Sequence, residues 1–170
     1  VYGSETSQFV TDEGIQIFGG MGFSKDTPME AAWRDARITR IYEGTNEINR
    51  LLTVGMLLKK AMNGTIDLIT PAMEVGNSLV GIPSFDIPDY SERLSEEKAM
   101  IAKLKKAFLM IAGKAVQTYG MDLENHQQLV LAAAEVMIEI YMSESAILKA
   151  DKLAKMTSDK EAEGQITMAK

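Results

Sequence analysis

The 170-residue sequence contains no cysteine and one histidine. The first absence excludes disulfide frameworks, thiolate zinc sites and cysteine nucleophiles together. The second leaves little for a multi-histidine metal site or a Ser/His/Asp triad, and no metal is expected. Prolines number four and aromatic residues are 6%. No apolar run approaches the roughly 18 residues that a membrane-spanning helix needs. Positive charge is also in short supply. Lysine and arginine total 18 against 24 acids, for a net charge of −6, where a nucleic-acid binder is usually basic. Hydrophobic residues at 46% and charged residues at 25% are ordinary for a globular chain and argue against disorder. The chain starts at Val1 without the basic start and apolar core of a secretion signal, and ends in helix-like sequence. Both ends suggest a piece of a longer, non-secreted polypeptide.

What is there reads as helix, and the expected fold class is all-α. Alternating apolar and polar stretches with β-branched enrichment are scarce. Ser4 can cap a helix to about Phe18 that Gly19 and Gly20 end. Thr27, Pro28 and Glu30 form a start signal with a capping box, for a short helix to about Arg37. Thr45 caps a third helix to about Met62, stopped by Gly64, with Ile48, Leu51, Leu52, Gly55, Leu58 and Met62 on its apolar face. Residues 65–91 gather three prolines and read as a connector, with one short helix near Thr70 and an extended stretch from Gly81 to Tyr90. Two long helices follow. Residues 92–119 carry Ile101, Leu104, Phe108, Ile111, Ala115 and Tyr119 on one face, closed by Gly120. Residues 126–157 carry Leu129, Ala133, Val136, Met137, Ile140 and Ile147, capped by Asn125 or Asp122. A last helix begins near Ser158. The organisation is thus 1–64, a connector 65–91, and a block 92–170 that packs as antiparallel helices on one another and on residues 46–62. The charge divides with it. Residues 1–64 carry 7 basic and 8 acidic side chains and residues 65–170 carry 11 and 16.

Three motifs in the first part bear on chemistry. Gln16-Ile17-Phe18-Gly19-Gly20-Met21-Gly22-Phe23 places glycines just past a helix end, where bare backbone can approach a ligand. By itself this is also an ordinary helix stop, and no Gly-Lys-Ser/Thr follows to make a phosphate loop. Arg34-Asp35-Ala36-Arg37-Ile38 with Arg40 is either a solvated face paired with Asp35 and Glu30 or the support of an anion or a fixed loop. In Tyr42-Glu43-Gly44-Thr45-Asn46-Glu47-Ile48 a carboxylate lies before a capped helix N-terminus beside a glycine. Such an acid either complements the helix dipole or, if desolvated by a ligand, acts as a general base. His126 reads as a surface residue and the methionines as core filler. Lys103, Lys105 and Lys106 beside Phe108 and Leu109 mark a solvated face or a basic amphipathic face for a peripheral membrane contact.

Taken in order, the three motifs, the last extended through Ile41 to Arg50, strongly resemble the C-terminal helical domain of the acyl-CoA dehydrogenases over about residues 4–62. The following block resembles, in architecture only, the additional helical domain of the very-long-chain type. The resemblance implies that Glu43 is the catalytic base. It removes the pro-R proton at Cα of an acyl-CoA thioester while the Cβ hydride passes to N5 of FAD, giving a trans-2-enoyl-CoA in fatty-acid β-oxidation. Glu43 and Gly44 meet the substrate, the Glu43 amide holding the thioester oxygen together with a flavin ribityl hydroxyl. Thr45, Asn46 and Glu47 correspond to the helix start that meets FAD, although the family often has glutamine where Glu47 stands. Gln16, Ile17, Phe18, Gly19 and Gly20 correspond to backbone that touches the FAD of a neighbouring subunit. The resemblance further implies an electron-transferring flavoprotein as partner and a homo-oligomer, a dimer, for the intact enzyme. Localisation would be cytoplasmic in a bacterium, and the mitochondrial matrix or inner membrane in a eukaryote. An N-terminal helical domain and a β domain are expected upstream, so the fragment alone is expected to be inactive. Two alternatives stand beside this reading: an acyl-CoA oxidase, and a non-catalytic helical interaction module.

Overall fold

In the computed structural model, residues 1–78 and 90–170 are described, and among them every regular element is helical. The helices are α1 (Tyr2–Phe18), α2 (Gly20–Phe23), α3 (Pro28–Ile38), α4 (Asn46–Met62), α5 (Ile69–Ser78), α6 (Ser95–Tyr119), α7 (Gln127–Met156) and α8 (Glu163–Ala169), with a 3-10 segment Gly120–Asn125 between α6 and α7. They form two compact units, Val1–Val54 and Gly55–Lys170, whose division falls inside α4.

In the first unit α3 and α2 pack on α1. Helix α1 starts earlier than its sequence suggests, with Val1 at the cap position. Ser4 lies inside the first turn, where its hydroxyl donates back to the Val1 carbonyl at 2.7 Å. Thr27 does occupy the cap position of α3, ahead of Pro28, but its hydroxyl donates to the Met21 carbonyl at 2.7 Å instead of capping. The expected capping box is absent too, because Glu30 pairs with Arg34 one turn on. Helix α3 is fastened to α1 by Trp33, whose indole N–H donates to Asp12 at 3.0 Å, and by buried Ala36. Gly22 comes so near α1 that a Cβ there would stand 2.7 Å from the Ile15 carbonyl oxygen. This glycine of the Gly-Gly-Met-Gly run is therefore a packing requirement.

The apolar face anticipated for α4 is not the buried one. Asn46, Arg50 and Val54 are buried, four residues apart, whereas Ile48, Leu52 and Met62 are each more than half exposed. The reason is polar. Arg50 and Asn46 turn inward to bond Glu5 and Ser4 of α1, which fixes the rotation of the helix.

In the second unit α5 packs on α6, α6 on α7, and α7 on α8. The described part of the expected connector thus holds a packed helix, α5, whose start is capped by Asp67 accepting from the Thr70 amide at 3.0 Å. Most of the stretch Gly81 to Tyr90 lies outside the described residues. Helices α6 and α7 run antiparallel. Arg93 meets Asp151, Lys105 meets Glu144 and Tyr119 meets His126, so one number falls as the other rises. Gly120, at φ 52, ends α6. Neither Asn125 nor Asp122 caps α7, because they bond each other and His126 instead. The core is Leu94, Ile101, Ile140, Ile147 and Ala150, with Phe108, Val136, Ile166 and Ala169 packed on it. Val130 and Ala134 are buried in place of the expected Leu129 and Ala133, a rotation of one residue. Ile111, assigned to the buried face of α6, is 59% exposed. Lys105 does not stand on a free basic face, since its ammonium bonds Glu144 of α7 at 2.5 Å. Helix α8 begins five residues past Ser158, whose hydroxyl instead accepts from the Glu161 amide.

Candidate functional site

The segment between α3 and α4 is a tight loop. Thr39 to Ile41 close the end of α3 with bonds to the Ala36 and Ile38 carbonyls, and the Asn46 amide reaches back to the Arg40 carbonyl at 3.2 Å. Within this ring Glu43 has φ 56 and Gly44 φ 89. Left-handed backbone suits glycine but costs a residue with a Cβ roughly 1–2 kcal/mol. Two consecutive left-handed residues turn the chain sharply just before α4. The Glu43 side chain is left exposed at the crest of that turn. Strain of this kind persists where the surroundings over-determine it.

Those surroundings can be named. Thr45 caps α4 as expected, its hydroxyl oxygen accepting from the Ile48 amide at 3.2 Å. Asn49, one turn into α4, donates from Nδ2 to the Gly44 carbonyl at 2.8 Å. Its Oδ1 lies only 3.0 Å from where a Cβ on Gly44 would stand. Below the loop, Arg50 Nη2 bonds both carboxylate oxygens of Glu5 at 2.8 and 2.9 Å, and Arg40 Nη2 lies 3.9 Å from the same carboxylate. Asn46 donates to Ser4 Oγ at 2.9 Å and to Glu5 at 3.3 Å, and is 2% exposed. Its side chain therefore faces the interior of the unit. Arg40 supports the loop, while Arg34 pairs with Glu30 on the surface. Glu5, Asn49 and Arg50 were not singled out from the sequence. The only signal for them was register: Asn49 lies four residues after Thr45 and Arg50 four after Asn46.

Two features govern what the loop can bind. Among the described residues the amides of Glu43, Gly44 and Thr45 donate to no acceptor of the chain. They are available for an oxygen of a ligand. Glu47, in contrast, folds back on its own helix start. Its carboxyl is held below the ordinary value, first by its own backbone amide and then, against an opposing desolvation, by the Thr45 hydroxyl and by Arg40 and Arg50. A carboxylate already occupies that part of the helix N-terminus, so a phosphate there would meet like charge.

Gln16, Ile17, Phe18, Gly19 and Gly20 are exposed at the far end of α1. Glu5, which braces the loop, lies eleven residues earlier, about 17 Å along the helix. One chain therefore does not bring the two groups of candidate residues together. Nothing stands within 4 Å of a Cβ at Gly19 or Gly20, so their backbone is bare. That openness fits a flat organic group such as a flavin lying against main chain.

These features define an all-α domain that presents a carboxylate on a strained, braced loop at a helix N-terminus. Two family models described as acyl-CoA dehydrogenase, C-terminal domain, match residues 1–57 and 103–170. A probable acyl-CoA dehydrogenase of Bacillus subtilis is 40% identical over 154 residues, 89% of this chain and 25% of that protein. The very long-chain specific acyl-CoA dehydrogenase of rat mitochondria is 46% identical over 79 residues, 46% of this chain and 11% of the relative. Among solved structures, an acyl-CoA dehydrogenase complexed with FAD from Bacillus anthracis superposes with a TM-score of 0.89 at 37% identity, covering 98% of this chain and 27% of that one. The chain belongs to the acyl-CoA dehydrogenase family and corresponds to its C-terminal helical part. It spans about a quarter of the length of these Bacillus relatives.

Proposed function

We propose that the chain is the C-terminal part of an FAD-dependent acyl-CoA dehydrogenase in which Glu43 abstracts the α-proton of an acyl-CoA thioester. The observation that carries this reading is the exposed carboxylate at φ 56 beside three amides that donate to nothing among the described residues. Glu43 takes the proton from Cα. As negative charge grows on the thioester oxygen, the Glu43 amide donates to it, which is worth most where water is excluded. FAD, when bound, supplies the two-electron acceptor for the hydride leaving Cβ. The Cα–Cβ double bond forms and the product is a trans-2-enoyl-CoA. The exposed Gln16–Gly20 stretch, its backbone bare at Gly19 and Gly20, and the Thr45 hydroxyl are the parts of this chain that would hold FAD. Glu47 is the exception, being better suited to order the helix start than to face a phosphate. The side chain of Asn46 has a structural role. The whole enzyme would be a homo-oligomer that delivers electrons to an electron-transferring flavoprotein, and would be cytoplasmic if bacterial.

The test uses the intact enzyme and an acyl-CoA analogue that has an acidic α-proton but no transferable β-hydride. In D2O the wild type should exchange the α-proton, and Glu43→Gln should not. Equal exchange by both would remove Glu43 from the base role. A second variant addresses the cofactor. Thr45→Val removes the cap of α4, worth about 1 kcal/mol, and should lower flavin occupancy after prolonged dialysis. Unchanged occupancy would count against FAD at this helix start. Rapid reoxidation of the reduced flavin by oxygen alone would favour an oxidase, and absence of any bound flavin would favour a non-catalytic module.

A further inference from the structure

We infer that Asn49 is a positioning residue for the Glu43 carboxylate, acting through the Gly44 carbonyl. The inference rests on the reading of Glu43 as the base. Glu43 and Gly44 both hold left-handed backbone, at φ 56 and φ 89. The first is unfavourable for any residue with a Cβ, so the turn needs an external tie. Asn49 supplies it. Its Nδ2 donates to the Gly44 carbonyl at 2.8 Å, and its amide plane lies against the face of Gly44 where a side chain would be. Pinning that carbonyl fixes ψ of Gly44, and with it the direction in which the preceding residue points.

Asn49 is itself well anchored. Its backbone amide donates to the Thr45 carbonyl at 2.9 Å, and its carbonyl accepts from the Thr53 hydroxyl at 2.7 Å. The tie therefore runs from a rigid helix turn to the loop, without touching the carboxylate. Glycine at position 44 follows from the same contact, because φ 89 and the 3.0 Å approach of Asn49 both disfavour a Cβ. Thr45 and Arg40 close the loop by backbone and cap, but neither bonds the Glu43–Gly44 turn from the side.

The experiment is Asn49→Asp in the intact holoenzyme. The change keeps size and shape, places an acid in the early turns of α4 where the dipole tolerates it, and removes the donor. The rate of flavin reduction by acyl-CoA should fall about 10- to 100-fold, the scale of misplacing a reacting group by a fraction of an ångström to one ångström. KM, FAD content and melting temperature should stay close to wild type, since no binding contact is lost. On a Glu43→Gln background the same substitution should change the residual rate by less than about threefold, because there is no base left to position. A reduction rate equal to wild type, a loss of rate matched by loss of FAD or of melting temperature, or full additivity with Glu43→Gln would each overturn the inference. If Asn49→Asp does not fold, Asn49→Leu, similar in size and without a donor, is read by the same criteria. Normal flavin reduction in Glu43→Gln alone would instead refute the base assignment itself, which separates the two failures.

Discussion

Replacing Glu43 by glutamine in the intact enzyme is expected to slow reduction of the flavin by acyl-CoA at least 10² to 10⁴-fold, the usual range for loss of a general base, with FAD still bound. The amide keeps the length and planarity of the side chain, so packing and the left-handed turn at φ 56 are undisturbed. What is lost is the only acceptor for the proton on this loop. Two other acids of the same unit belong to the bonds that brace the loop and the start of α4, and neither can replace it. The Glu5 carboxylate is committed to Arg50 and Arg40. The Glu47 carboxylate is committed to its own amide and to Thr45, which also make it a weaker base. Anaerobic stopped-flow mixing reads the rate directly from the flavin absorbance. Reduction within tenfold of wild type would require another base.

The helices were legible because glycine and proline punctuate them. Gly19, Gly64 and Gly120 all have positive φ and all end helices where the sequence places the stop. Helix faces were less legible. The early part of α7, Leu129 to Ile138, is apolar at every position but Glu135, so hydrophobic periodicity cannot choose between Leu129 and Val130 as the inward position. Small residues decide it, Ala134 and Ala150 being fully buried because they admit close approach. On α4 the apolar pattern pointed to the wrong side, since the rotation is set by Arg50 reaching Glu5, forty-five residues away. No local pattern announces such a pairing. The same holds for caps. Thr27 and Glu30 form a local signal for a capping box, yet each found a partner elsewhere. In the loop, the order Glu-Gly-Thr before a helix was legible as an exposed carboxylate ahead of a cap. The bonds that hold the carboxylate in place became visible only in three dimensions.

The second large effect concerns the ion-pair node that closes the second unit. Asp151 of α7 is 9% exposed. Its carboxylate meets Lys155 at 2.7 Å, Arg93 at 3.0 Å and Lys98 at 3.9 Å, and Arg93 also bonds Asp159 beyond the end of α7. One acid therefore ties α6, α7 and the following turn together. It also secures Leu94, which is buried at the head of α6 with φ 56, a conformation that releases strain if its neighbour Arg93 comes free. Asp151→Asn should destabilise the unit by about 1 to 2 kcal/mol, because the carboxylate that three cations share is lost, while Lys155 reaches solvent and Arg93 and Lys98 keep Asp159 and Glu92 as partners. The effect has a definite pH dependence. The Asp151 carboxyl is lowered from its ordinary 3.8, chiefly by its bond from Lys155 and then, against an opposing desolvation, by the charges of Lys98 and Lys155 and the bond from Arg93. A folded-state value below the unfolded one means that the ionised carboxylate stabilises fully above pH 3.8 and loses that contribution as pH falls below it. The gap in denaturation midpoint between wild type and Asp151→Asn should thus be constant from pH 7 to pH 5 and close as the acid limb is entered. A gap that persisted unchanged at the lowest pH where the wild type still folds would mean that packing around Asp151, and not its charge, holds the node.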